Sequence, residues 1–171
     1  IILAALADVD LSKGSFPLSD QYAIEILDRE PEVASHHARL GTAHRLNNKL
    51  DEAEACFREA ISLDTSLPSA HAGLAETLES MGRSEDASDQ LQSIIEAGDP
   101  SFSVVSAWAR IRQRLGDRPA AIKAMEKYLA SKRGLPNHVS QITMQLGLAY
   151  EKAGRPDDAF RCWTQGNATH R

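Results

Sequence analysis

Three histidines are the first residues in this sequence whose type and spacing could do chemistry. His37 and His44 stand two helical turns apart, and His71 follows His37 by 34 residues. Imidazoles on one helix face can reach a divalent metal, but a site needs ligands converging at about 2 Å and a further carboxylate or thiolate. Against that ligand-count requirement, no metal is expected. Cys56 and Cys162 have no second Cys or His at zinc-site spacing, and both lie among apolar residues, as buried structural thiols do. They imply no disulfide framework, which suits a reducing compartment. Glu25, Glu30, Glu32 and the pairs Asp51-Glu52, Glu85-Asp86 and Asp157-Asp158 offer carboxylates. Most of the pairs fall where a helix would begin, and negative charge there complements the helix dipole, a stability role rather than acid–base catalysis. Gly14, Gly82, Gly116 and Gly154 stand alone, without the GxGxxG or GxxxxGK[ST] of a phosphate loop. No serine sits in a nucleophile-elbow sequence and no Cys–His pairing is suggested. The reading predicts no catalytic residue and no cofactor.

The elements that would position any site are set by composition first. The chain has 171 residues, of which 42% are hydrophobic, 25% charged and 5% aromatic, and it carries a formal net charge of -5. Few aromatics suit stacked helices that pack on Ala and Leu. Net negative charge argues against a nucleic-acid partner, because neutralising phosphates takes a basic surface. The apolar opening Ile1-Ile2-Leu3-Ala4-Ala5-Leu6-Ala7 is far shorter than the roughly 20 residues of a membrane span and lacks the basic start of a signal peptide. No membrane partner is expected, and a cytoplasmic location is the working assignment. The missing initiator Met reads as a fragment without its natural N-terminus, which leaves targeting unread.

Self-comparison reveals a period. A small residue follows an apolar one at Leu6-Ala7, Leu40-Gly41, Leu74-Ala75, Trp108-Ala109 and Leu146-Gly147, at spacings of 34, 34, 34 and 38. Gly14, Asn48, Gly82, Gly116 and Gly154 repeat the same differences, and Ala53, Ala87, Ala121 and Ala159 follow at 34, 34 and 38. Three series sharing one irregularity define five units: a degenerate one at 1–33, then 34–67, 68–101, 102–135 and 140–171. Within 34–67, His37, Leu40, Gly41 and His44 share a helical face; Asn48 reverses the chain; and Ala53, Cys56, Phe57, Ala60 and Ile61 form the apolar face of a second helix. Gly41, Ala75, Ala109 and Gly147 let the first helix approach the second, and Phe57, Leu91, Met125 and Trp163 fill the space opposite. The four extra residues before the last unit, near 132–139 with Gly134, Pro136 and Asn137, read as a lengthened loop.

This period and pattern resemble the tetratricopeptide family along essentially the whole chain. The resemblance implies an all-α fold, a right-handed superhelical solenoid of antiparallel helix pairs. It also puts large aromatics where His37, His44 and His71 stand, so the imidazoles are expected to substitute for packing rings. First helices line the concave surface in this family. By spacing, that surface carries Ser35, Arg39, Thr42 and Leu46, then Ser69, Gly73, Glu76 and Ser80, then Ser103, Ala107, Arg110 and Arg114, then Gln141, Gln145, Leu148 and Lys152. Arg45, Glu79, Gln113 and Glu151 flank them. A peptide-binding face is therefore expected at Arg39, Thr42, Arg45, Glu76, Glu79, Arg110, Gln113, Arg114 and Gln145, over a small floor that includes Gly73 and Ala107. Its arginines would hold carboxylates of an acidic or extended peptide. Each side chain taken singly also fits a solvated helix face. The family's chaperone-tail carboxylate clamp needs Lys and Asn on neighbouring first helices, whereas the corresponding positions here include Ala38, Thr42 and Gly73.

The last unit has a more particular look. Leu146-Gly147-Leu148-Ala149-Tyr150-Glu151-Lys152-Ala153-Gly154 leads to Asp158-Ala159-Phe160, Trp163, Gly166-Asn167 and Arg171. It resembles the closing repeat of bacterial proteins in which such an array precedes a sulfotransferase domain. That resemblance implies transfer of sulfate from 3′-phosphoadenylyl sulfate by a domain beyond Arg171, with this region as accessory. The leading expectation is a protein- or peptide-binding scaffold. The alternatives are that accessory role and self-association into a homo-oligomer, to which an apolar surface at Ile1, Ile2 and Leu3 would contribute.

Overall fold

The computed structural model describes residues 17–98, 100–131 and 135–168, and every regular element among them is a helix. In chain order these are α1 (Pro17–Arg29), α2 (Ala34–Leu46), α3 (Leu50–Leu63), α4 (Pro68–Ser80), α5 (Ser84–Ala97), α6 (Phe102–Arg114), α7 (Arg118–Ala130), α8 (Pro136–Lys152) and α9 (Pro156–Ala168). The chain divides into two compact units, Ile1–Arg83 and Ser84–Arg171. The division falls inside the 68–101 repeat, so the first unit holds α1–α4 and the second α5–α9. Leu6, Ala7 and Gly14 of the degenerate repeat lie outside the described residues, as do Ile1, Ile2 and Leu3.

Each hairpin turns where the period places it. Asn48, Gly82, Gly116 and Gly154 have φ of 59°, 81°, 88° and 73°. This left-handed conformation ends a helix and is nearly cost-free for glycine. It lets the next amide reach back five residues: Lys49 N donates to His44 O at 2.8 Å, Asp117 N to Arg112 O at 2.9 Å, and Arg155 N to Tyr150 O at 2.9 Å. Those bonds satisfy carbonyls that a helix end would otherwise orphan. The following helix starts with its own signals. Asp117 accepts from Ala120 N at 3.2 Å as the cap of α7, and Asp51-Glu52, Glu85-Asp86 and Asp157-Asp158 occupy the first turns of α3, α5 and α9.

Small residues set the helix spacing within each unit. In the first, Ala53 and Ala60 of α3 are fully buried and Phe57 is buried between α2 and α4. A Cβ added to Gly41 would meet that ring at 3.1 Å, and one added to Gly73 would overlap it. In the second unit, Val105, Ala109, Ala121, Met125, Ile142, Leu146, Ala149 and Ala159 form one core with Trp163 packed against it. Trp163 lies directly over Gly147, as the pattern of small and large residues requires.

The four extra residues do not form a loop where they are described. α8 has 17 residues and α6 has 13. Four residues are about one helical turn, and the insertion is taken up as that turn at the start of α8. Residues 132–134 lie outside the description, but Pro136 and Asn137 are helical. Proline suits a first turn because the amide it lacks would have no intrahelical partner there. The added turn is held from the side: the His138 ring stacks on Phe102 with centroids 4.3 Å apart and planes 9° from parallel.

Candidate functional site

In the first unit, the residues assigned to the concave face come mainly from α2 and α4, which touch directly. Arg45 Nη2 of α2 lies 3.1 Å from Glu76 Oε2 of α4. Thr42 donates its hydroxyl to Ala38 O at 2.9 Å, within its own helix. Arg39 is half-buried. Two expectations change here. Glu79, expected to flank a solvent face, is only 4% exposed. Gly73, expected as the floor of a groove, is a packing position against Phe57. For Gly73 the cause is a close approach: with no side chain there, α4 settles onto the ring. The small floor is thereby used up in packing.

The histidines also find a structural use. His37 Nε2 lies 2.8 Å from Pro31 O and His71 Nε2 2.9 Å from Thr65 O. A carbonyl only accepts, so in both cases Nε2 is the donor. Two residues one repeat apart thus pin equivalent turns between successive repeats, six residues upstream. The packing-ring expectation is thereby sharpened to a hydrogen-bonded one. Among the described residues no group of three or more His, Cys, Asp or Glu is placed to hold a metal ion.

The second unit arranges the equivalent positions differently. α6 and α8 border an open cavity of about 410 Å³ lined by Arg110, Gln113, Arg114, Arg118, Gln145, Leu148 and Lys152. Arg110, Gln113, Arg114 and Gln145 are the four candidates from this half of the chain, and they are brought together. Ala107, expected on the floor, is buried. Gln145 is fixed by Ser106: its amide donates to Ser106 Oγ at 2.8 Å. Among the described residues, four of the lining side chains are cationic and none is a carboxylate or imidazole.

Arg118 is the lining residue that the repeat pattern missed, because it belongs to the turn before a second helix rather than to a first-helix face. It did carry a signal. It is the first residue of α7, where a cation opposes the helix dipole, so its charge does not serve the helix. The neighbouring acid is committed elsewhere: Asp117 Oδ2 pairs with Arg112 Nη2 at 2.6 Å while its Oδ1 caps α7. Arg112 also lies over the Trp108 ring, 5.3 Å from its centroid.

Two titratable groups in the core of this unit, on α8 and α9, favour their protonated forms. Burial, reinforced by a hydrogen bond to Glu126, pushes the Tyr150 phenol up to about 12. Burial likewise raises the Cys162 thiol, the reverse of what an activated nucleophile needs.

A profile of the family described as tetratricopeptide repeat matches residues 4–69, 40–102 and 106–163. The chain belongs to that family. Solved structures with the same fold include MamA, 21% identical with a TM-score of 0.68, over 96% of this chain and 94% of that one. BtubC (BKLC) from P. vanneervenii is 19% identical with a TM-score of 0.75, over 98% and 78%. TTC0263, a thermophilic repeat protein of Thermus thermophilus, is 14% identical with a TM-score of 0.78, over 96% and 88%. Comparison with curated protein sequences gave no match. Membership confirms an all-α fold of tetratricopeptide helix pairs and is consistent with a protein-interaction scaffold. Among the described residues no helix is long and apolar enough to cross a membrane.

Proposed function

We propose that this chain binds an acidic, extended segment of a protein partner along α6 and α8. The observation that supports this reading is the cavity of about 410 Å³ whose described lining brings four cationic side chains together. Arginine forks pair with carboxylates in two-point geometry, and α6 and α7 both bring arginines to this opening. Leu148, 49% exposed at the wall, offers an apolar contact between charged ones. Arg39, Thr42, Arg45, Glu76 and Glu79 play a supporting part in this reading, keeping α2 and α4 in place rather than meeting the ligand. A role beside a sulfotransferase domain rests on the residues of the final repeat alone, and the groove requires no such domain to bind.

The test is fluorescence anisotropy with labelled glutamate-rich peptides against the wild type and the Arg110→Glu, Arg114→Glu double variant. Reversal of both charges is expected to weaken binding by about tenfold or more, and most strongly at low salt. Equal affinity for the two proteins would remove the groove from the interaction.

A further inference from the structure

The last helix pair exposes large apolar side chains at positions that join each of the preceding repeats to its successor. We infer that a second copy of this chain packs there, about a two-fold axis, on the outward side of α8 and α9. The residues involved are not among those lining the groove along α6 and α8.

Glu54, Ser88, Ile122 and Phe160 occupy one repeat position, at spacings of 34, 34 and 38. The first three each meet the following repeat. Glu54 Oε2 lies 2.9 Å from Arg83 Nη1, Arg112 Nη1 donates to Ser88 Oγ at 3.3 Å, and Ile122 shares a buried core with Tyr150. Phe160, at the same position of the last pair, is 65% exposed. A second series, Ala38, Ala72, Ser106 and Met144, has the same spacings. Ala38 and Ala72 are buried, and Ser106 Oγ accepts from Gln145 of the next repeat. Met144 is 40% exposed. One series follows the second helices and the other the first helices, so both helices of the last pair turn a joining position outward. A terminal repeat that faces water alone carries a polar outer face. These two positions instead hold the largest apolar side chain of each series. They continue the interface that already joins one repeat to the next, so another helix pair fits them.

The charges on α9 complement a copy of the same helix. Asp157 lies three residues before Phe160 on the same side of the helix, and Arg161 directly follows it. Both charged residues are exposed. Arg161 pairs with Asp158 at 2.6 Å yet keeps 72% of its side chain in solvent. When two copies of α9 run antiparallel, Asp157 of each lies toward Arg161 of the other, with the Phe160 rings between them. A contact made by the same patch on both copies closes at two chains.

The experiment is size-exclusion chromatography with light scattering on the full chain over a dilution series. The wild type is expected to pass from the mass of one chain to that of two as concentration rises. Phe160→Glu should weaken self-association by about tenfold or more, and Met144→Glu by less. Leu135→Glu is the control: it changes another exposed apolar side chain, at the start of α8, and should associate as the wild type does. All three positions are exposed, so circular dichroism of the variants should match the wild type. Asp157→Arg should also weaken pairing, and adding Arg161→Asp should restore it. A wild type that stays monomeric throughout the series would overturn a second copy as the occupant. Masses that grow beyond two chains would overturn the two-fold contact in favour of head-to-tail stacking. Association of Phe160→Glu equal to the wild type, or equal weakening by Leu135→Glu, would overturn the placement on this face. Failure of Arg161→Asp to restore pairing would overturn the antiparallel arrangement.

Discussion

The two compact units use one repeat to build two different surfaces. Arg45 and Glu76 of the first unit correspond by repeat position to Gln113 and Leu148 of the second. In the first unit this pairing is a salt bridge across α2 and α4; in the second it is a neutral amide and an apolar side chain. Leu46 and Ser80 give way to Arg114 and Lys152 at the ends of the first helices. Closing one unit with its own charges leaves little for a ligand to neutralise. On the reading proposed above, the cations around the opening of the second unit are where a partner's carboxylates would pair. Backbone architecture thus sets where a face lies, and a few side chains decide what chemistry it carries.

The largest test of this contrast concerns the floor. Gly73→Ala puts a methyl group into the Phe57 ring and should destabilise the protein by about 1–3 kcal/mol through overpacking. Urea unfolding checks it, with Gly73→Ala combined with Phe57→Leu as the rescue. An unchanged midpoint for the single variant would mean that Gly73 is an open floor after all. A smaller effect is expected from giving the first unit the residues of the second. Arg45→Gln with Glu76→Leu should change stability by no more than about 1 kcal/mol, because the paired side chains are 24% and 33% exposed and solvent screens them. A double-mutant cycle in the same denaturant isolates the pair, and a coupling well above that value would make it a principal support of the unit. The smallest difference lies in the turns. Asn48 carries the left-handed conformation that Gly116 and Gly154 carry in the second unit. Asn48→Gly should stabilise by about 0.5 kcal/mol, since positive φ is unfavourable for an L-residue, though less so for asparagine than for most. A lowered melting temperature would show that the asparagine side chain supplies something a glycine lacks.

Much of the fold was legible because helix pairing repeats a local rule. Small residues at Gly41, Ala75, Ala109 and Gly147, large ones at Phe57, Leu91, Met125 and Trp163, and turn residues at Asn48, Gly82, Gly116 and Gly154 mark the same events in successive units. The extra turn of α8 was not legible, since glycine, proline and asparagine together suggest a loop. Proline also starts helices, and the stacking of His138 on Phe102 is a contact between residues 36 apart in sequence. Gly73 and Glu79 were misplaced for a related reason. Spacing assigns a residue to a side of its helix, but it does not say how near the next helix comes.

The candidate site divides along the same line. The sequence by itself determined the period, the helix pairs, the turn positions and the family, because each depends on residues three, four or 34 apart along one chain. Only the tertiary structure decided that Arg45 closes on Glu76 while Arg110, Arg114, Arg118 and Lys152 gather round one opening. Electrostatic balance depends on distances in space between helices, and side chains from α6, α7 and α8 become neighbours only when those helices pack.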